Sequence, residues 1–172
     1  MKIAVIGSGK GTKPDIEERA KEVGREIARN KCILVSGGCR GYPYAAVKGA
    51  KSEKGKTIAI SPAENEEEHI NSYNFPTDQT EIIYTGLGIP GRNKEVVLNS
   101  DAVVMIGGEV GTLNEFTFVL YEEKPLGVLK GSGGVTDIVH LIVERCNRKV
   151  KKEKIVYSES PEELVKGLIK LL

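Results

Sequence analysis

Seven short runs of β-branched and aliphatic residues recur along the chain, with helix-forming segments between them. The runs occupy residues 2–7, 32–37, 56–61, 81–86, 102–107, 125–130 and 154–158. Most of them are continuously apolar, which is typical of strands covered on both faces. Strict alternation of strands and helices indicates parallel strands joined by helical crossovers. We therefore predict a three-layer α/β fold, a mostly parallel sheet of about seven strands covered by helices on both faces.

The segments between the runs have the periodicity of amphipathic helices. In the first segment, apolar residues recur every three or four positions from Ile16 to Ile27. The last segment opens with Ser160, Pro161 and Glu163, a capping box with proline at the first helical position. Between these two, further helices are predicted at residues 43–55, 93–99, 113–120 and 138–146.

Length and charge restrict the partners that the chain can have. Its 172 residues fit one domain, residues 1–172, and 25 Lys and Arg nearly balance 24 Asp and Glu. A net charge of +1 gives no electrostatic reason to expect a nucleic acid or a membrane partner. The acidic stretch 64–68 and the basic stretch 148–154 are interpreted as solvated surfaces.

Cysteine positions and apolar runs argue against other classes of protein. The three cysteines, at positions 32, 39 and 146, form no zinc or disulfide pattern with each other or with the two histidines. We therefore expect no metal and no resident cofactor. No apolar run reaches the ~18–20 residues of a membrane helix, and the chain begins with a predicted strand instead of a signal sequence. We expect a cytoplasmic protein.

Three of the predicted strands end in glycine-rich loops, at residues 7–12, 36–41 and 107–112. Glycine lets a backbone approach an anion closely, and the helix that follows offers free N–H groups and a positive dipole end. Loops that follow parallel strands lie at one sheet edge, where such folds bind ligands. We therefore predict a phosphate or nucleotide site formed by Gly7, Ser8, Gly9, Gly37, Gly38, Gly107, Gly108, Gly111 and Thr112.

Two familiar phosphate motifs do not fit the first of these loops. A Walker P-loop needs a glycine five residues before Gly9, but Ala4 is part of the strand, and no Ser or Thr directly follows Lys10. A dinucleotide fingerprint needs a glycine where Thr12 stands and an acidic residue at the end of the second strand. A hydride-transfer enzyme is therefore not expected.

Glu115 has two interpretations. As the fourth residue of Thr112-Leu-Asn-Glu115, it fits a capping box at the start of the helix after the third glycine loop. Alternatively it is chemical, because Arg92 is predicted at the start of the preceding helix, whose N-terminus faces the same sheet edge. An arginine beside glycine loops suits bidentate binding of a phosphate.

Other reactive or aromatic residues fit structural roles better. Cys39, in the second glycine loop, is expected to be a small buried thiol more than a pocket residue. For His69 and His140 we expect surface or partly buried positions. Tyr42 and Tyr44 could stack on a nucleotide base, although plain packing explains them more simply.

Together these motifs resemble the LOG-like proteins, named for LONELY GUY and often labelled lysine decarboxylases. Their signature is an Arg-Lys pair followed by a P-G-G-x-G-T-x-x-E loop. Here Arg92-Asn93 and GGEVGTLNE correspond to it, and IGSG and SGGCRG correspond to the family's first two glycine loops. The resemblance implies a Rossmann-like fold, a homo-oligomer (dimer or tetramer), and hydrolysis of the base–ribose bond of a nucleoside 5′-monophosphate. In that case Arg92 and Glu115 are catalytic.

This sequence departs from the signature at three positions. Gly107 replaces the proline, Glu109 replaces the second glycine, and Asn93 replaces the lysine. A carboxylate at position 109 would repel a phosphate unless it points away. These departures resemble a side branch close to molybdenum-cofactor carrier proteins, and DNA-processing protein A is a more distant relative. Two hypotheses remain: a phosphoribohydrolase, or a non-catalytic carrier or sensor of a phosphorylated cofactor in which Glu115 is a helix cap.

Overall fold

The computed structural model describes residues 1–10, 13–146 and 152–172. In these ranges seven strands form one sheet: β1 Lys2–Gly7, β2 Ile33–Ser36, β3 Thr57–Ser61, β4 Glu81–Tyr84, β5 Ala102–Ile106, β6 Leu126–Leu129 and β7 Ile155–Ser158. The helices are α1 Pro14–Arg29, α2 Gly41–Ser52, α3 Glu66–Asn71, α4 Gly88–Leu98, α5 Val110–Tyr121, α6 Val139–Arg145 and α7 Pro161–Ile169, with 3-10 helices at Gly134–Asp137 and Lys152–Lys154.

All strand pairs in the described sheet are parallel, in the order β4-β3-β2-β1-β5-β6-β7. Alternate residues of β1 enter two separate cores, since successive side chains of a strand point to opposite faces. Ile3 and Val5 pack with α1, α2 and α7, whereas Ala4 and Ile6 pack with α4, α5 and α6. The predicted three-layer α/β fold is confirmed.

The strand order reverses between the neighbouring strands β1 and β5. From β1 the chain steps outward through β2 and β3 to the edge strand β4, and then crosses to β5 on the other side of β1. In open α/β sheets, such a switch point leaves a crevice at the carboxyl ends of the strands. The loops after β1, β2 and β5 surround this crevice.

Helix α4 begins earlier than its sequence suggests. It starts at Gly88 rather than at residue 93, so Arg92 lies in the second turn and not at the helix start as predicted. The GIPG stretch had the composition of a loop, but proline is tolerated in a first turn because its missing N–H would have no partner there. The extra turn brings Ile89 to the ligand edge of the sheet.

Helix α5 also begins earlier than expected, and this removes the capping interpretation of Glu115. Its N-cap is Glu109, and Thr112 and Glu115 are the third and sixth residues of the helix. A capping box needs its Ser or Thr at the N-cap itself, so the Thr112–Glu115 box is wrong. At α7 the predicted N-cap is confirmed, since the Ser160 hydroxyl accepts the N–H of Glu163 at 3.3 Å. The reciprocal bond of a capping box is not made, because the N–H of Ser160 donates to the Ser158 hydroxyl at 3.1 Å.

A short helix that the sequence pattern did not indicate, α3, forms within the acidic stretch. The side chain of Asn65 caps it by accepting the N–H of Glu68 at 3.0 Å. Asn65 and three acidic residues in the first turn favour a helix start. The expectation of a surface or partly buried His69 is wrong, because this residue in α3 is completely buried.

Two segments from the sequence analysis extend beyond the described residues. Gly11 and Thr12, the end of the predicted loop 7–12, lie outside them, as do residues 148–151 of the basic stretch. Among the described helices, none combines the length and the apolar character needed to cross a membrane. Within the same ranges, no group of three or more His, Cys, Asp or Glu side chains could hold a metal ion.

Candidate functional site

A cleft of about 250 Å³ opens at the switch point between β1 and β5. Glycine loops, the second turn of α4 and the first turn of α5 form its walls. Its lining residues are Gly7, Ser8, Gly9, Lys10, Cys39, Phe75, Ile89, Arg92, Asn93, Glu109, Gly111 and Thr112. The structure therefore brings together Arg92 and five of the nine predicted phosphate-loop residues.

Arg92 is the buried cation of this cleft. Its side chain is only 5% exposed, and Nε has no hydrogen-bond partner in the part of the chain that the structure describes. Its closest ion pair joins Nη1 to Glu115 Oε1 over 3.5 Å, near the outer limit of a hydrogen bond. Because a guanidinium has five N–H donors in a planar fork, Arg92 keeps donors available for an anion in the cleft.

Glu115 contacts Arg92 but is not among the residues that line the cleft. Burial raises the pKa of its carboxyl to about 7, and the positive charge of Arg92 acts against this shift. Desolvation disfavours the charged carboxylate more than one loose ion pair stabilises it. Near neutral pH, Glu115 is therefore a mixture of acid and carboxylate, a state suited to proton exchange.

Gly37 leaves space for the guanidinium. A Cβ at this position would lie 2.0 Å from Nη1 and 2.6 Å from Cζ of Arg92. Arg92 therefore packs directly on the backbone of the second glycine loop. A glycine is needed at position 37 because any side chain there would overlap the Arg92 guanidinium. Gly37 itself does not line the cleft.

Gly37→Ala should therefore weaken binding of a phosphate monoester by about 10- to 100-fold, because the new methyl group displaces the guanidinium. Calorimetric titration of both proteins measures this effect. Urea denaturation of both proteins is the folding control, because it shows whether the added methyl group also destabilises the fold. Unchanged affinity in Gly37→Ala would show that the position of Arg92 does not matter.

Four predicted loop glycines support the cleft from behind and do not line it: Gly37, Gly38, Gly107 and Gly108. Gly108 has φ +103°, and a Cβ there would lie 2.4 Å from the Thr112 hydroxyl oxygen, so the position excludes other residues. The predicted loops thus contain two kinds of glycine. Some line the cleft, and the others lie outside its lining.

A fourth glycine loop, which sequence reasoning missed, holds the third one in place. Residues 131–134 follow β6, and the Ser132 hydroxyl accepts the N–H of Gly107 at 2.8 Å. The N–H of Val135 donates to the carbonyl of Gly108 at 3.0 Å. The sequence KGSGG after the sixth apolar run was the signal that could have revealed this loop.

Sequence reasoning also missed charged and apolar residues of the cleft. Lys10 adds a second cation, while Phe75 and Ile89 add apolar surface. Glu109 is exposed and is one of the residues that line the cleft. Lys10 and Glu109 place opposite charges on the same cleft.

Asn93, which stands where the LOG-like proteins have lysine, makes a structural contact. Its Nδ2 donates to Asn114 Oδ1 at 3.0 Å and joins α4 to α5. This hydrogen bond fixes the two helices that carry Arg92 and Glu115. Asn93 also lines the cleft, so the departure from lysine removes a cation and adds a helix–helix link.

The remaining candidates are distributed as follows. Cys39 was expected to be a buried thiol more than a pocket residue, and this is wrong, because it is half-buried and lines the cleft. Desolvation raises the pKa of its thiol to about 11. Tyr42 is buried and its hydroxyl accepts the N–H of Lys13 at 3.1 Å. Tyr44 lies under the Lys48 ammonium, and neither tyrosine lines the cleft. His140 is exposed, as expected.

A second depression, of about 440 Å³, is larger than the cleft. It lies near the ends of β6 and β7, beside Lys130, Asp137 and His140. These three side chains are exposed, so water already solvates them. The buried charge of Arg92 distinguishes the smaller cleft, and we place the functional site there.

The fold and the cleft define a Rossmann-like α/β protein with a cleft at the switch point of its sheet. The chain belongs to the SLOG cluster4 family, whose model matches residues 1–165. An uncharacterized protein of Archaeoglobus fulgidus is 35% identical over 131 residues, which are 76% of this chain and 80% of that protein.

Several solved structures share the fold over 99% of this chain. The molybdenum cofactor binding protein of Rippkaea orientalis has TM-score 0.78 and 29% identity, with 95% of its chain covered. The molybdenum cofactor carrier protein of Chlamydomonas reinhardtii has TM-score 0.77 and 26% identity, with 96% covered. TM1055, at TM-score 0.84, is 24% identical with 99% covered, and therefore shows the fold alone.

DNA processing protein A of Helicobacter pylori, described with a single-stranded DNA binding mode, is more distant. Its TM-score is 0.67 at 20% identity, with 80% of its chain covered, which again shows only the fold. The predicted family is thus confirmed at the level of the SLOG cluster4 family and its carrier-like neighbours. Assignment to the LOG proteins themselves remains a prediction.

Proposed function

We propose that this protein binds a phosphorylated small molecule in the cleft and holds it without chemical change, as a carrier or sensor. Arg92 carries the proposal: a buried guanidinium with an unpartnered Nε, among the described residues, lines a cleft bounded by glycine loops. A phosphate monoester can accept from this fork and from the N–H groups at the start of α5. We expect the phosphate to sit between these two donors.

The similar structures support the carrier over the hydrolase. Two neighbours above 25% identity are described as molybdenum cofactor binding and carrier proteins. Glu115 contacts Arg92 and does not line the cleft, so we expect a ligand held by Arg92 to stay out of contact with the carboxyl group. A catalytic carboxyl has to lie within hydrogen-bond distance of the reacting group.

Calorimetric titration tests the proposal with AMP, GMP, 6-hydroxymethylpterin phosphate, ribose 5-phosphate and inorganic phosphate. We expect saturable binding of at least one phosphate monoester, and no binding of its dephosphorylated counterpart. Chromatography of the same mixtures then shows whether the ligand is recovered intact. If no phosphate monoester binds at millimolar concentration, the proposed function is wrong.

A second candidate function, hydrolysis of the base–ribose bond of a nucleoside monophosphate, rests on Glu115. A buried carboxyl group with a pKa of about 7 is suited to transfer a proton or to stabilise positive charge on a ribose. For this chemistry Arg92 has to turn toward the phosphate and open access to Glu115. The free base and ribose 5-phosphate would be the products.

If the protein hydrolyses monophosphates, Glu115→Gln should lower turnover at least ~100-fold, because glutamine keeps the shape but removes the negative charge. Product release by the two proteins, followed by chromatography, measures this effect. Equal turnover in both proteins would exclude a catalytic Glu115. Absence of turnover in the presence of binding would leave the carrier as the function.

The absence of a nucleic acid partner stays a prediction, since a protein with a similar fold is described with a single-stranded DNA binding mode. The net charge of +1 provides little general attraction for DNA. We propose that a single-stranded oligonucleotide does not compete with the monophosphate for the cleft. The oligonucleotide is therefore included as a competitor in the titration.

Self-association is expected near the cleft. Val96 and Val97 of α4 are completely buried in the core and offer no surface to a partner. Other apolar side chains at the ends of α4 and α5 are exposed, notably Val110 at 80%, Ile89 at 44% and Leu98 at 39%. We predict two or four times the 18.7 kDa chain mass in light scattering. A monomer at micromolar concentration would contradict this.

A further inference from the structure

The aromatic surface of the cleft comes from a segment that the sequence did not single out. Phe75 belongs to the connection between α3 and β4, and its half-buried side chain lines the cleft with Ile89. The aromatic residues that we had considered for base stacking, Tyr42 and Tyr44, do not line it. Phe75 is therefore the aromatic side chain in position to meet a ligand.

The buried His69 fixes the backbone beside Phe75. Its Nε2 lies 3.0 Å from the carbonyl oxygen of Pro76, and its Nδ1 lies 2.7 Å from the hydroxyl of Ser61. Since a carbonyl oxygen only accepts, Nε2 donates the proton, and Nδ1 accepts the hydroxyl proton of Ser61. The N–H of Phe75 donates to the carbonyl of His69 at 3.1 Å, and the two rings meet edge to face at 5.6 Å.

Arg40 holds the other side of Phe75. Its Nε donates to the carbonyl of Asn74 at 2.9 Å, and its Nη2 donates to Asn74 Oδ1 at 3.1 Å. The backbone is thus fixed at both neighbours of Phe75, at Asn74 by Arg40 and at Pro76 by His69. These contacts hold the backbone that carries the Phe75 ring at the cleft.

We propose that Phe75 stacks on a planar heterocycle of the ligand, and that His69 and Arg40 are positioning residues that hold its ring. This inference rests on the proposed function, since Arg92 has to hold the phosphate of the same molecule. The ligand class is then a phosphate monoester that carries an aromatic heterocycle, such as a purine or a pterin. A sugar phosphate without a ring system would lack the stacking contact.

The test compares heterocyclic and ring-free ligands by calorimetry. The probes are AMP, GMP, 6-hydroxymethylpterin phosphate and, as the ring-free reference, ribose 5-phosphate. The wild-type protein should bind the best heterocyclic probe at least ~10-fold more tightly than ribose 5-phosphate. Phe75→Leu should lose at least ~5-fold of affinity for that probe and keep its affinity for ribose 5-phosphate, while Phe75→Tyr should retain the preference.

Arg40→Ala tests the positioning role without removing a buried residue. It should reduce the ratio of the two affinities by ~2- to 5-fold, since the ring remains but is less fixed. Lys48→Ala is the matched control, because Lys48 is an exposed cation of the adjacent helix α2 and its ammonium lies over the Tyr44 ring. A general loss of charge or stability would change both affinities together and leave their ratio unchanged.

The possible failures are distinguishable. An affinity ratio near one in the wild-type protein, or an unchanged ratio in Phe75→Leu, overturns the stacking role while the phosphate site stands. An unchanged ratio in Arg40→Ala overturns the positioning role of Arg40. If none of the four probes binds to the wild-type protein, the proposed function fails, and this inference fails with it.

Discussion

Replacement of Arg92 by glutamine should weaken binding of a phosphate monoester at least ~100-fold. The guanidinium is the buried cation of the cleft, and a charge-assisted bidentate contact in a desolvated site is costly to lose. Glutamine keeps a polar side chain but removes the charge and most of the donors. Calorimetric titration of both proteins with the ligand identified in the panel measures this effect.

Two variants separate the role of the charge from its geometry. Arg92→Lys keeps the positive charge but loses the planar fork, so we expect it to recover only part of the affinity. Arg25→Gln removes an arginine from the outer surface of α1, where it pairs with Glu18 and Glu22, and should leave binding unchanged. An Arg92→Gln protein that binds as tightly as the wild type would contradict the role of Arg92.

Glu115→Gln should change the pH dependence of stability by ~3 kcal/mol. Burial raises the pKa of this carboxyl from 4.5 to about 7 in the folded protein. Between these values the unfolded chain releases the proton while the folded protein retains it. The free energy of unfolding therefore falls as the pH rises from 4.5 to 7, and the loss persists at higher pH.

Glutamine cannot ionise, so Glu115→Gln escapes this loss. Relative to the wild type, its free energy of unfolding should rise by ~3 kcal/mol between pH 4 and pH 8. Urea denaturation of both proteins at the two pH values measures their free energies of unfolding. The other titrating groups are the same in both proteins, so their contributions cancel in the difference. Glu81→Gln, an exposed residue of β4, is the control. A pH-independent difference between Glu115→Gln and wild type would show that Glu115 titrates normally.

The sequence predicted the layered fold because its signals are local. Seven apolar runs became seven strands, and the stripe from Ile16 to Ile27 became the buried face of α1. These patterns follow directly from the periods of strand and helix. Helix starts were less predictable, as the first turns of α4 and α5 show, because Gly and Pro occur both in loops and in first turns.

The sequence predicted only part of the site. The roles of the other residues depend on tertiary packing. The sequence predicted that Arg92 and Glu115 lie at one sheet edge, and the structure places Nη1 of Arg92 3.5 Å from Oε1 of Glu115. Nothing local to the sequence indicates that Gly37 accommodates a guanidinium. The place of Phe75 depends on the buried hydrogen bonds of His69, which join residues far along the sequence from the second glycine loop.

The most direct test of the phosphate site is a crystal structure of the protein with its tightest-binding phosphate monoester. We predict the phosphate at the carboxyl ends of β1 and β5, within hydrogen-bond distance of the Arg92 guanidinium and of the N–H groups at the start of α5. A ligand bound only at the opposite sheet edge, with Arg92 still paired to Glu115 alone, would contradict the proposed site.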